Sequence, residues 1–172
     1  MELDGWRSPQ SVLGVFLMAT KKELQKRAQR DTKRIALPAQ IGGFPIEQLQ
    51  AAASSGPSDN SSWENRIVYM ILNKDCSAGK VGEGKWDRPP THLAAAMIRT
   101  FPASDWKGPG DWVLGKPLQD MLVANGYEAS YIVLAKGLSK AQAKYGEGAV
   151  CRLMGLQKDG GWLLNVMREN TR

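Results

Sequence analysis

Residues 110–143, GDWVLGKPLQDMLVANGYEASYIVLAKGLSKAQA, constrain the fold more than any other stretch of this chain, because a turn or cap residue stands at each joint between periodic segments. Residues 111–114 read as a short strand and Gly115 as a turn. Pro117 suits the first turn of a helix, where a missing N–H leaves no bond unmade. Leu118, Met121 and Leu122 then fall at i, i+3 and i+4, which gives that helix one apolar face. Asn125-Gly126 supplies a left-handed stop, and residues 130–135 are rich in strand formers. Ser139 with Gln142 three positions on has capping-box spacing and opens a second helix.

Upstream, residues 66–72, RIVYMIL, read as a strand apolar enough for burial on both faces. Residues 73–90 hold Gly79, Gly82, Gly84, Pro89 and Pro90 and read as a long loop carrying Lys74, Lys80, Lys85 and Arg88. Thr91 is the expected cap of a helix with Leu93, Met97, Ile98 and Phe101 on one side. The helix from Ser139 to about residue 156 is expected to be interrupted at Gly146 and Gly148, and residues 162–167 to form a last strand. The stretch 54–62, SSGPSDNSS, has linker composition. These readings make an α/β (α+β) domain of residues 63–172, preceded by an N-terminal helical arm and linker over 1–62.

The order of elements in 110–143, the glycines Gly115 and Gly126, and the turn Gly137-Leu138-Ser139 resemble the ParB/sulfiredoxin superfamily over about residues 66–145. The resemblance implies a ParB/sulfiredoxin-like fold in which the helix after the first glycine holds nucleotide or DNA. Gly115, Lys116, Gln119 and, from the preceding helix, Arg99 are then the nucleotide contacts. A small stand-alone chain of this type is most similar to plasmid fertility-inhibition factors of the oncogenic-suppression kind, which block DNA transfer through a type IV secretion system. That likeness implies ATP hydrolysis and metal-dependent DNA cleavage, with ATP and Mg²⁺ as cofactors, DNA as substrate, and secretion coupling components as partners. Where the family carries His-Arg or Arg-Arg after the first glycine, this chain has Pro117-Leu118 preceded by Lys116. The departure keeps a rival open: a non-enzymatic DNA-binding or protein-docking inhibitor on the same fold. Sulfiredoxin chemistry needs a cysteine in the glycine turn, and neither Cys76 nor Cys151 stands there.

Charge points the same way from the residues alone. The chain of 172 residues carries a net +6, and Lys21, Lys22, Lys26, Arg27, Arg30, Lys33 and Arg34 against Glu23 and Asp31 place +5 of it between residues 21 and 34. Thr20 and Glu23 have capping-box spacing, so 21–34 is expected to be a helix, with only Leu24 and Ala28 as an apolar stripe. A local basic element attracts a polyanion; its ordinary alternative is a solvated face that aids solubility. Residues 35–46, with Pro38, Gly42-Gly43 and Pro45, read as an extended connection, and 47–53 as a short helix.

Among single residues, His92 is the one histidine and is a candidate acid, base or phosphate contact, with Arg99 seven positions on near the same helical face. Asp120 could bind a metal or orient a hydrolytic water, or simply favour a helix N-terminus. The other carboxylates stand singly, so a metal site would have to be assembled from separate segments. Trp86, between Lys85 and Arg88 with Asp87, is the tryptophan best placed to stack on a base; packing against the sheet is the alternative for all of Trp63, Trp86, Trp106 and Trp112. Two cysteines are too few for a disulfide framework and read as inert thiols. No run of about 18 apolar residues exists to span a bilayer, so a soluble, cytoplasmic protein is expected.

Overall fold

In a computed structural model describing residues 33–58, 64–98, 116–126 and 128–165, the first described elements are three short strands and a helix: β1 (Lys33–Arg34), β2 (Gln40–Ile41), β3 (Phe44–Pro45) and α1 (Ile46–Ala53). It continues through β4 (Arg66–Leu72), β5 (Gly79–Gly84), α2 (Arg88–Ile98), α3 (Lys116–Ala124), β6 (Ser130–Leu138), α4 (Lys140–Met154) and a 3₁₀ turn at Gln157–Asp159. The fold is mixed α/β. A four-stranded sheet has the order β1-β6-β4-β5, with β1 parallel to β6 and the other pairs antiparallel, while β2 and β3 form a separate hairpin.

The apolar run of β4 is explained by its central place. Successive side chains of a strand point to opposite faces, and here both faces are covered. Val68, Met70 and Leu72 join Ile132 and Leu134 of β6 beneath Leu49 and Ala53 of α1 and Ala143, Val150 and Met154 of α4. Ile67, Tyr69 and Ile71 join Val133 beneath Leu93 of α2 and Leu118, Met121 and Leu122 of α3. Two register shifts between β4 and β6 fall near Val68, so that Leu134 and Ala135 both reach the first of these cores. The i, i+3, i+4 face of α3 is buried as its spacing requires, and its C-terminal Gly126 has φ 61°.

The boundary expected near residue 62 separates chain segments that share one core: Ile41, Ile46, Leu49 and Ala53 pack with residues of β4, β6 and α4. Four expectations change. The run 73–90 is not one loop, because Gly79–Gly84 pairs along the whole of β4 from Ile67 to Leu72. Its helix starts at Arg88, before Thr91, with Pro89 and Pro90 in the first turn, where they remove no helical bond. Thr91 instead donates its hydroxyl to the Asp87 carbonyl at 2.8 Å.

The third change is at α4, which runs unbroken through Gly146 and Gly148. A Cβ at Gly146 would stand 2.1 Å from the Ala53 carbonyl oxygen, so glycine lets α1 and α4 approach rather than ending the helix. Fourth, residues 163–165 form no strand of the sheet. Leu163 bridges Gly79 and Leu156, Leu164 N–H donates to the Gly79 carbonyl at 2.8 Å, and the Asn165 amide pairs with both backbone groups of Val81 at 3.0 Å. The side chain thus completes the hydrogen bonding of edge strand β5 in place of another backbone. Among the described residues no helix is long and apolar enough to cross a membrane.

Candidate functional site

Two residues expected to meet nucleic acid are brought together by the tertiary structure. The guanidinium carbon of Arg34 sits 5.4 Å from the centroid of the Trp86 ring, a cation–π contact between an edge strand and the turn that leads into α2. Arg34 lies in β1, where Lys33 and Arg34 run beside Ser130 and Tyr131 of β6. At residues 33 and 34 this corrects the expected helix: both are extended because they pair with the start of β6, and residues 21–32 lie outside the described residues. Lys21, Lys22, Lys26, Arg27 and Arg30 lie outside the described residues, as do Trp63, Trp106 and Trp112.

The turn carrying Trp86 is built by local bonds. Arg88 N–H donates to the Lys85 carbonyl at 2.9 Å and Thr91 N–H to that of Asp87 at 3.3 Å, so residues 85–88 fold tightly between β5 and α2. Lys85, Trp86, Asp87 and Arg88 are all exposed, as are Lys33 and Arg34. Trp86 as a residue is 37% exposed even with Arg34 against its ring. Four cations and an accessible indole therefore lie on two adjoining segments of surface, with Asp87 the one acid among 85–88.

His92 faces inward. It is half-buried in α2, and its Nδ1 lies 3.2 Å from the hydroxyl of Tyr69, a residue only 1% exposed in the central strand. In the tautomer with the proton on Nε2, the phenol donates to Nδ1. Tyr69 is a site residue that the linear pattern could not single out, since it reads simply as one member of an apolar strand.

The expected nucleotide residues are distributed differently. Lys116 opens α3 and is exposed, and its ammonium holds both oxygens of Asp120 at 2.8 Å one turn later. Asp120 is thereby a surface ion-pair partner, and among the described residues no group of three or more His, Cys, Asp or Glu side chains could hold a metal ion. The described residues alone therefore do not gather around Asp120 the oxygen donors that Mg²⁺ takes. Gln119 points the other way: it is 6% exposed, and among the described residues its Nε2 has no hydrogen-bond partner. A buried amide donor left without a partner costs about 1–3 kcal/mol, so Nε2 of Gln119 is a polar atom at α3 that a ligand would satisfy. Gly115 and Arg99 lie outside the described residues.

The charge of Arg66, at the start of β4, is internally satisfied. Arg66 bonds Glu64 through Nε and Glu83 through Nη1 at 2.8 Å, and the paired carboxylates, Glu64 foremost, hold its guanidinium firmly protonated. Comparison with protein families, with curated proteins and with solved structures found no match to this chain.

Proposed function

We propose that the protein binds nucleic acid, with its basic N-terminal segment and the Arg34–Trp86 surface as the contact. The observation that carries this reading is the 5.4 Å stack of Arg34 on an exposed Trp86, flanked by Lys33, Lys85 and Arg88. Cations neutralise backbone phosphates, and an accessible aromatic face accepts an unpaired base whatever its sequence. Placed beside the resemblance to the ParB/sulfiredoxin superfamily, this is the behaviour of a DNA-binding fertility-inhibition factor that acts on DNA passing to a type IV secretion system. Anisotropy titration of a labelled single-stranded oligonucleotide tests it. Trp86→Ala should weaken binding by about 1–3 kcal/mol, roughly 5- to 150-fold. Alanine at Lys21, Lys22, Lys26, Arg27 and Arg30 should lower the salt slope by about 0.7 per charge removed. Unchanged affinity and slope in both variants would sink the reading.

A second reading, that the same fold hydrolyses ATP and cleaves DNA, is favoured by one observation: the buried Nε2 of Gln119 on the first turn of α3, without a partner among the described residues. On this reading Gln119 donates to a nucleotide that enters beneath the first turn of α3. Calorimetry with ATP separates the outcomes. Gln119→Leu should abolish binding if the amide holds nucleotide. If it only buries an idle polar group, the same change raises the melting temperature and wild type shows no heat of binding.

A further inference from the structure

We propose that the outward face of α4 is a second phosphate-backbone site for nucleic acid, separate from the Arg34–Trp86 surface and sharing no residue with it. Lys140, Lys144, Tyr145 and Arg152 are exposed on this helix, and Lys136 is exposed just before it at the end of β6. The guanidinium of Arg152 lies 5.5 Å from the centre of the Tyr145 ring. The single carboxylate of α4, Glu147, is 2% exposed and turned into the protein. Every charge presented outward by the helix is therefore positive.

Arg152 stands in the last turn, where the dipole favours a cation, but the placement of Lys140 and Lys144 is not what helix stability favours. Lys140 occupies the first turn, where the positive end of the helix dipole prefers an acid, and no acidic residue stands there. Lys140 and Lys144 are like charges at i, i+4, an arrangement that costs a few tenths of a kcal/mol. A face selected for solubility alone interleaves both signs and forms i, i+4 pairs, as Lys116 and Asp120 do on α3. Among the described residues no ion pair is made by Lys136, Lys140 or Lys144. Lys140 and Lys144 rise about 6 Å apart along the axis, and Arg152 lies about 12 Å further and roughly 120° round the helix from Lys140, so the cations spread over the outward side and not at a point. A spread of this extent fits several phosphates of a backbone.

The two surfaces belong to different layers. Helix α4 covers the sheet face of Val68, Met70 and Leu72, whereas the Trp86 turn feeds α2, which covers the face of Ile67, Tyr69 and Ile71. A short duplex held on one layer leaves the other free.

The test uses the full chain and a fluorescein-labelled random-sequence duplex of about one helical turn, short enough to occupy a single face. Replacing Lys136, Lys140, Lys144 and Arg152 by Ala should lower the salt slope of binding by about 0.9 per charge. It should also reduce saturation from two duplexes per chain to one. The corresponding Lys140→Arg, Lys144→Arg variant should keep both sites and exposes any loss due to misfolding. Trp86→Ala should leave the α4 site at full affinity, which separates this proposal from the preceding one. An unchanged slope in the four-alanine protein overturns the assignment and leaves this face to an acidic protein. A wild-type saturation of one duplex that both variants weaken overturns the separateness of the sites.

Discussion

The hydroxyl of Tyr69 lies 3.2 Å from Nδ1 of His92, which ties the central strand of the sheet to helix α2 through the only histidine of the chain. The tyrosine ring has space because the neighbouring strand carries glycine at position 82, where a Cβ would stand 2.7 Å from the ring and from the hydroxyl. Tyr69→Phe should lower stability by about 0.5–1.5 kcal/mol, a few degrees in melting temperature for a chain of this length. His92→Ala should cost more, because it also leaves a gap beside a buried ring. If His92 instead transfers a proton in a reaction, its removal lowers turnover about 100-fold with little change in melting. Thermal denaturation and turnover measured on the same preparations decide between these patterns.

Glycine at position 146 makes a sharper test, because propensity and packing predict opposite signs. Gly→Ala in a helix interior ordinarily stabilises by up to about 1 kcal/mol. Here the added methyl would meet the Ala53 carbonyl oxygen at 2.1 Å, so α1 must shift. Gly146→Ala is therefore expected to destabilise by about 1–3 kcal/mol in urea unfolding. A stabilised variant would show that the α1–α4 contact is looser than this packing.

Asn165 holds β5 from the outside, donating through Nδ2 to the Val81 carbonyl and accepting from the Val81 N–H, each at 3.0 Å. Asn165→Ala strands both groups and should cost about 1–3 kcal/mol. Asn165→Asp keeps the acceptor, loses the donor and sets a carboxylate against a carbonyl oxygen, so it should be no better than alanine at neutral pH. Hydrogen exchange at the Val81 amide should accelerate in both variants, and slow exchange there would contradict the clamp.

Cys76 is half-buried, and burial first, with the nearby Asp75 charge second, pushes its thiol above the usual range. A raised value means less thiolate at neutral pH, so alkylation by iodoacetamide should be slower than that of a free cysteine and accelerate as pH rises. Asp75→Asn should speed it only partly. Asp75 itself is held below the usual carboxylate range, chiefly by the Ser77 hydroxyl and also by the Ser77 N–H. Its contribution to the turn is present above the pH at which an unfolded aspartate ionises, and is lost as pH falls through the lower folded value.

Much of the fold was legible along the chain. Ser139 and Gln142 form both bonds of the capping box, at 3.2 Å from the Gln142 N–H and 2.9 Å to its side-chain oxygen. Leu118, Met121 and Leu122 share one buried face, Asn125 bonds back to Met121, and the two-sided burial of β4 follows from its unbroken apolar run. Each of these depends on residues within a turn or two of one another, and spacing alone specifies them. The candidate site was legible as chemistry, in the cations around residues 21–34 and 85–88 and in Trp86, but not as a place.

Tertiary structure decided the rest because the partners are remote in sequence. GKVGEG has few strand formers and becomes β5 only because β4 offers a free hydrogen-bonding edge, Tyr69 needs the space at Gly82, and Asn165 completes the far side from 84 residues away. Lys33 and Arg34 are extended because the start of β6 pairs with them, although the residues before them carry a helix-start signal. Gly146 reads as a break until Ala53 is seen against it. The stack of Arg34 on Trp86 and the pairing of Tyr69 with His92 exist only once the sheet and its helical layers are assembled. Periodicity and caps are local physics, written in neighbouring residues, whereas backbone pairing and close approach depend on groups that meet only in the folded chain.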